Sequence, residues 1–223
     1  MTESDRFHSY VPAEGHGLKH DPFNAIVGPR PIGWISTLSP DGAPNLAPYS
    51  FFNAFNYTPP IIGFSSTGWK DTVANIEKTG EFVWNLVSRT LAERMNITSA
   101  VVPPDVSEFA LGHIRSTPSD IVRPARVADS PVQFECRLTQ MVQLKDADGR
   151  ALETWMTFGE VVKAHIRADL VVNGVYDTVA ARPVLRAGGP ADYYEIRTDS
   201  LFQMRRPQGD ELTKLLDGHD VTD

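Results

Sequence analysis

The sequence has a single cysteine, Cys136, among 223 residues. No internal disulfide can form, which sets aside the small cross-linked secreted scaffolds. No apolar run approaches the ~20 residues a membrane helix needs. Met1 to Gly17 is polar and lacks the apolar stretch of a secretory signal, so the cytoplasm is the expected location. Positive charge is scarce as well: 21 Lys and Arg against 28 Asp and Glu give a net charge of −7. A nucleic-acid partner needs a basic footprint and is not expected. None of the six histidines stands at metal-ligand spacing from another with a third ligand nearby, so no metal centre is expected. Repeats and low-complexity tracts are missing too.

What remains is of ordinary globular make-up, 41% hydrophobic and 22% charged. The length supports one core, and no linker divides it, so a single domain over 1–223 is expected. Residues 1–28 read as an extended lead-in, with a short ordered piece near Asp21-Pro22-Phe23. The tail from about residue 205 reads as partly frayed, ending in Gly218 to Asp223.

Between these ends, strand and turn signals dominate. Gly33 to Leu38 is the first strand. Ser39-Pro40-Asp41-Gly42 turns it, and Asn45 to Asn53 returns as one strand. Ile61 to Ser65 is a short apolar strand after Pro59-Pro60. Lys70 to Lys78 reads as a helix capped by Asp71 or Thr72, with Val73 and Ile76 on one face and Gly80 as its stop. Glu81 to Val87 is a strand. Thr90 to Glu93 has capping-box spacing and opens a helix through about Ile97. A loop-rich excursion fills 98–130, with Phe109, Ala110 and Leu111 docking on something apolar. Val132 to Leu138 alternates, apolar at even positions and polar at odd ones, as a half-buried strand does. Asp146 to Gly149 turns it, and Leu152 to Ile166 returns with Met156, Phe158, Val162 and Ile166 on one parity. Beyond Arg167 the chain reads as irregular. Many strands, few helices and frequent turns suggest a barrel with helices around it.

The returning strand is unusual. It is built from Asn, Ala, Pro and Ser where a core strand carries Val and Ile. Pro48 has no amide for a ladder, so this strand is an edge or is bulged. Small side chains at Ala47 and Ser50 leave room for a flat ligand against the backbone, walled by Trp34, Tyr49, Phe51 and Phe52. Hydroxyls, Lys70 and the free amides of a helix start gather in Ser65 to Thr72, a combination suited to a phosphate. A planar, hydrogen-bonding, phosphorylated ligand such as FMN fits this inventory.

The run Arg30 to Thr37, the Asp41-Gly42 turn and Asn45 to Asn53 resemble the flavin reductase-like family of FMN-binding split barrels. Phe64-Ser65, Lys70 to Ile76, Gly80 to Val83 and Asn85-Leu86 continue the likeness. It is dense from about residue 29 to 88 and looser over Val132 to Ile166. The resemblance implies a mainly β fold with helices: a six-stranded antiparallel split β-barrel, Greek-key-like, with peripheral helices. It implies a homodimer with FMN near the subunit interface. It also implies hydride transfer from NADH or NADPH to the flavin and onward to an acceptor, such as a partner monooxygenase. Carried over by position, Trp34, Ile35, Ser36 and Thr37 face Asn45, Ala47, Pro48, Tyr49, Ser50 and Phe51 around the ring and ribityl chain. Ser65, Ser66, Lys70, Asp71 and Thr72 surround the phosphate end.

Single residues are weighed beside this. His165 is a nicotinamide contact or a surface histidine. Arg182 and Arg186 reach a ligand phosphate or pair at the surface. Cys136 is a buried small hydrophobe. A flavin carries the electrons itself, so no catalytic triad or acid–base dyad is expected. Three readings stay open: a flavin reductase, a flavoredoxin-like electron carrier, and an FMN-binding or sensory barrel without turnover.

Overall fold

A strand that changes partners organises the fold. In the computed structural model, which describes residues 6–103 and 106–217, the expected strand Asn45 to Asn53 is two strands. With Gly33–Leu38 as β1, they are β2, Pro44–Tyr49, and β3, Phe52–Asn56. β2 pairs with β1. After a bend at Ser50-Phe51, β3 pairs instead with β4, Ile61–Thr67. The remaining strands of this sheet are β5, Glu81–Asn85, β6, Val132–Lys145, and β7, Ala151–Ile166. The order across the sheet is β2-β1-β5-β6-β7-β4-β3, all antiparallel. Its two ends, β2 and β3, are consecutive in the chain, so the sheet closes on itself. The Ser65 amide donates to the Phe51 carbonyl at 2.8 Å across the seam. The sheet has seven strands rather than the six expected, because the expected second strand is divided by the bend at the closure. The fold is a split barrel, as expected.

Helix α1, Asp71–Thr79, packs against β1, β2 and β6. Val73 and Ile76 are fully buried on its inner face, each worth about 1.5–3 kcal/mol of burial. Gly80 ends it in the left-handed region at φ 71, donating to the Ile76 carbonyl. A side chain would be strained there. The expected caps are not realised. Lys70 stands at the N-cap position, and no side chain caps the helix start.

Two cores lie on opposite faces of β1. Ile35 joins Tyr49, Phe52, Ile62, Phe64, Ile76, Phe82 and Cys136 inside the barrel. Trp34 points outward into a cluster with Leu46, Leu91, Met95, Phe109 and Val127. That outer cluster is covered by α2, Ala92–Ile97, and α3, Glu108–Leu111. Both faces of β1 are therefore buried. Gly33 marks the tightest point, because a Cβ there would sit 2.8 Å from the Phe52 ring beyond the bend.

Several expectations need correction. Before α2, residues Arg89–Leu91 form a 3-10 turn, and Leu91 rather than Thr90 occupies the N-cap position, without a capping side chain. In β6 the polar Gln133 and Glu135 are buried, because the 118–130 excursion covers their face. In β7 the inward residues are Thr157 and Gly159, opposite Phe64 and Ile62. Phe158, of the opposite parity, faces outward and meets Phe55 of β3 edge-on at 5.0 Å between centroids. The register shift after Val161 leaves Val162 as an extra residue in β7, so no single parity holds along the strand. The stretch beyond Arg167 is more ordered than expected. A hairpin turns at Asn173-Gly174, both at positive φ, and Val184–Arg186 pairs with Arg30-Pro31 and with Tyr193–Glu195. The lead-in does hold a helical turn at Phe23–Ile26, begun by Asp21 accepting the Phe23 amide. The tail expectation for 218–223 lies outside the described residues.

Candidate active site

The outer edge of β2 opens onto a cleft of about 390 Å³. Leu46 donates its amide to the Glu108 carboxylate at 3.1 Å, away from β1. Residue 48, two positions on, turns its amide position the same way, so Pro48 breaks no ladder bond. Of the two alternatives that a proline leaves, an edge or a bulge, the strand takes the edge.

One wall of the cleft is β2 and the bend: Asn45, Ala47, Pro48, Tyr49, Ser50 and Phe51. Its other end is Ser65 and Thr67 of β4 with Lys70, Asp71 and Thr72 at the start of α1. The opposite wall is the segment Thr98 to Val102 with Glu108. A smaller chamber of about 220 Å³ shares Asn45, Asp71 and Glu108 and adds Ser39 and Asn75. Phe51 stands half-exposed at the cleft under the Arg30 guanidinium, 5.1 Å from the ring centroid. Arg30 also donates to the Ser50 carbonyl at 2.9 Å, fixing the bend.

Five expected contacts lie behind the walls. Trp34, Ile35, Ser36, Thr37 and Ser66 are closed to solvent and do not line the cleft. Each has structural work nearby. The Trp34 indole donates to Thr98 Oγ1 at 3.0 Å, holding the opposite wall. Ile35 fills the barrel interior. Ser36 donates to the Ala125 carbonyl, and Ser66 to the Gly68 carbonyl at 3.0 Å. Thr37 Oγ1 accepts from Asn45 Nδ2 and Asn75 Nδ2, both at 3.1 Å. Asn45 Nδ2 also donates to Thr72 Oγ1 at 2.9 Å, so Thr37 acts on the cleft through Asn45.

The phosphate-like end has a distinct donor set. Lys70 is exposed and has no ion-pair partner among the described residues. The first amides of α1 have no intrahelical acceptor and no side-chain cap. Tyr49 OH is buried without a hydrogen-bond partner, one of two such side-chain atoms among the described residues. Burial raises its pKa, an effect that the nearby Thr72 and Ser66 hydroxyls oppose and the Asp71 and Glu108 carboxylates reinforce.

The other candidates sit elsewhere. His165 donates to Glu135 Oε1 at 2.6 Å. It lies nine residues along β7 from Met156, the partner of Ser65, roughly 30 Å of strand at ~3.3 Å per residue. Asp120, Glu135 and His165 converge within 4.8 Å. Glu135 already accepts from the Asp120, Ile121 and Val122 amides at 2.6–3.0 Å as well as from His165. With four donors on two oxygens, the group reads as a hydrogen-bonded clasp that ties the excursion to the barrel. Arg182 pairs with Glu195 at 2.6 Å. Arg186 donates to the Asp192, Gly189 and Pro190 carbonyls, bordering a separate cavity of about 510 Å³. Cys136 is fully buried, and burial pushes its thiol up.

Sequence reasoning missed the wall Thr98 to Val102 and Glu108. The first carries no motif, and Glu108 reveals itself only through its bond to the edge of β2.

Comparison with known proteins bears on the fold and the family. Residues 28–182 match the model of the flavin reductase like domain. An uncharacterized protein of Aquifex aeolicus (strain VF5) is 37% identical over 74% of this chain and 83% of its own length. Nitrilotriacetate monooxygenase component B from Bacillus cereus superposes with a TM-score of 0.78 at 26% identity, covering 88% of this chain and 98% of that one. The 2-nitrobenzoate 2-nitroreductase NbaA of Pseudomonas fluorescens gives 0.72 at 30% identity, covering 83% and 88%. The chain belongs to the flavin reductase-like family.

Proposed function

We propose that this protein is a homodimeric NAD(P)H-dependent flavin reductase that holds FMN in the cleft beside β2 and passes electrons to an acceptor. The observation that carries this is the union of a flat, small-residue strand edge with an uncapped helix start and an unpaired lysine. A planar ring with an anionic tail matches both halves of that cleft. The orphaned Tyr49 hydroxyl at its polar end is a further mark of an incomplete polar site.

Lys70, the α1 amides and Thr72 would bind the phosphate, as helix starts bind anions generally. Ala47, Pro48 and Ser50 would lie under the ring system, with Phe51 flanking it. Bound FMN supplies the hydride-accepting and electron-donating chemistry. The protein's part is to orient the ring against the β2 edge and to leave one ring face open to a nicotinamide. The family's likeness to a monooxygenase component supports a partner oxygenase as acceptor. The dimer would rest on the apolar outer face of β3, β4 and β7, where Phe55 is 52% exposed, and on the adjoining β3–β4 turn, where Tyr57 is 93% exposed. No helix among the described residues is long and apolar enough to cross a membrane, and we place the protein in the cytoplasm.

The test is an absorption spectrum of the purified protein, before and after adding FMN, followed by anaerobic titration with NADH and NADPH. A flavin spectrum that bleaches with one nucleotide is expected. Protein that takes up no FMN would remove the proposal; flavin that resists both nucleotides would leave an electron carrier.

A further inference from the structure

Tyr49 is packed as a wall residue, yet it carries a polar group that the protein itself does not use. Its ring is held against Phe64 at 4.5 Å between centroids, and the residue is 7% exposed. The hydroxyl lies beside those of Thr72 and Ser66 but in hydrogen-bonding geometry with neither. A buried hydroxyl without a partner is destabilising, and one kept in a well-packed site calls for an explanation.

Thr72 supplies it. A threonine hydroxyl has one proton and two acceptor positions. One acceptor position of Thr72 is filled by Asn45 Nδ2 at 2.9 Å. Asn45 is itself held by Thr37. If a second donor fills the other acceptor position, the single Thr72 proton is left for a group in the cleft that Thr72 lines. Tyr49 is the donor at hand.

We infer that Tyr49 is a positioning residue for the anionic tail of the ligand: when a phosphate accepts a hydrogen bond from the Thr72 hydroxyl, the phenol O–H turns to donate to Thr72 Oγ1 and completes its shell. Asn45 and Tyr49 then act together to make Thr72 a donor only, on the second residue of α1. The arrangement favours a phosphorylated flavin over the same ring system without phosphate, and it adds no charge. Burial raises the phenol's pKa, which favours its protonated, donating form. The inference rests on the flavin reading of the cleft.

The experiment uses Tyr49→Phe, which removes only the oxygen, together with Thr72→Val and the double variant. FMN and riboflavin affinities are measured by quenching of flavin fluorescence, and apoprotein melting by calorimetry. Tyr49→Phe is expected to weaken FMN by about three- to tenfold, the worth of one neutral hydrogen bond, and riboflavin by less than about twofold. In the Thr72→Val background the same change should have no further effect on FMN. The Tyr49→Phe apoprotein should melt at the same temperature or up to about 2–4 °C higher, because an unsatisfied group is gone.

Equal losses for FMN and riboflavin, an unchanged FMN affinity, an effect that persists without the Thr72 hydroxyl, or a less stable apoprotein would each overturn the inference. Wild-type protein that binds neither flavin would overturn the cleft reading first, before any variant is made, and this inference with it.

Discussion

Replacing Glu135 by glutamine tests how the barrel holds the excursion that covers it. Glu135 is fully buried, and both of its oxygens accept two donors. Burial raises its pKa, but the Asp120 amide, His165, and the Val122 and Ile121 amides outweigh burial and hold it down from 4.5 to about 2. A depressed carboxyl contributes stability above its unfolded pKa and loses it as pH falls through the folded value. The difference of 2.5 units corresponds to about 3.4 kcal/mol at neutral pH. Glutamine keeps one acceptor oxygen but turns an NH₂ toward two backbone donors, so it mimics the protonated acid at best. Glu135→Gln should therefore lower unfolding free energy by about 3 kcal/mol at pH 7, measured by urea titration. The gap should narrow to roughly 1.4 kcal/mol at pH 3 and close toward pH 2. Amide exchange at Asp120, Ile121 and Val122 should speed up in the variant before the rest of the barrel opens. A gap below about 1 kcal/mol at pH 7, or one that does not change with pH, would refute the reasoning.

Lys70→Ala should weaken FMN binding by about threefold to tenfold, since an exposed cation is screened, and leave riboflavin nearly unchanged; equal losses would dismiss the phosphate role. Asn45→Ala removes donors to Thr37 and Thr72 and should cost about 1–3 kcal/mol of stability as well as FMN affinity; chemical denaturation and fluorescence titration read the two effects separately. Light scattering should give a dimer for the wild type and a monomer for the pair Phe55→Asp and Tyr57→Asp. A wild-type monomer that binds FMN at full affinity would remove the dimer.

The sequence made local devices visible and left long-range ones hidden. The turns at Asp41-Gly42 and Asp146 to Gly149, the stop at Gly80, and the inner face Val73 and Ile76 depend on near neighbours, and all stand as read. One missing amide at Pro48 limited its strand to an edge or a bulge, and the structure has the edge. Parity failed in β7, because the register shift after Val161 exchanges inside for outside without any change in composition. Gln133 and Glu135 read as solvent-facing because their cover, the backbone of 118–130, is far away in the chain. The cleft was legible along β2, β4 and α1, where small residues and hydroxyls cluster. Trp34 to Thr37, expected around the ring, stand behind the wall, since a strand buried on both faces looks the same in sequence as one that lines a pocket.

At Ser50 and Phe51, the seam of the barrel and the rim of the pocket are the same few atoms. Straightening that corner would part β2 from β3 and empty the cleft together, so ligand affinity and folding cannot be tuned independently there. A molecule gripping the corner would act as a rivet across the join, and its departure would loosen the cylinder at that line first.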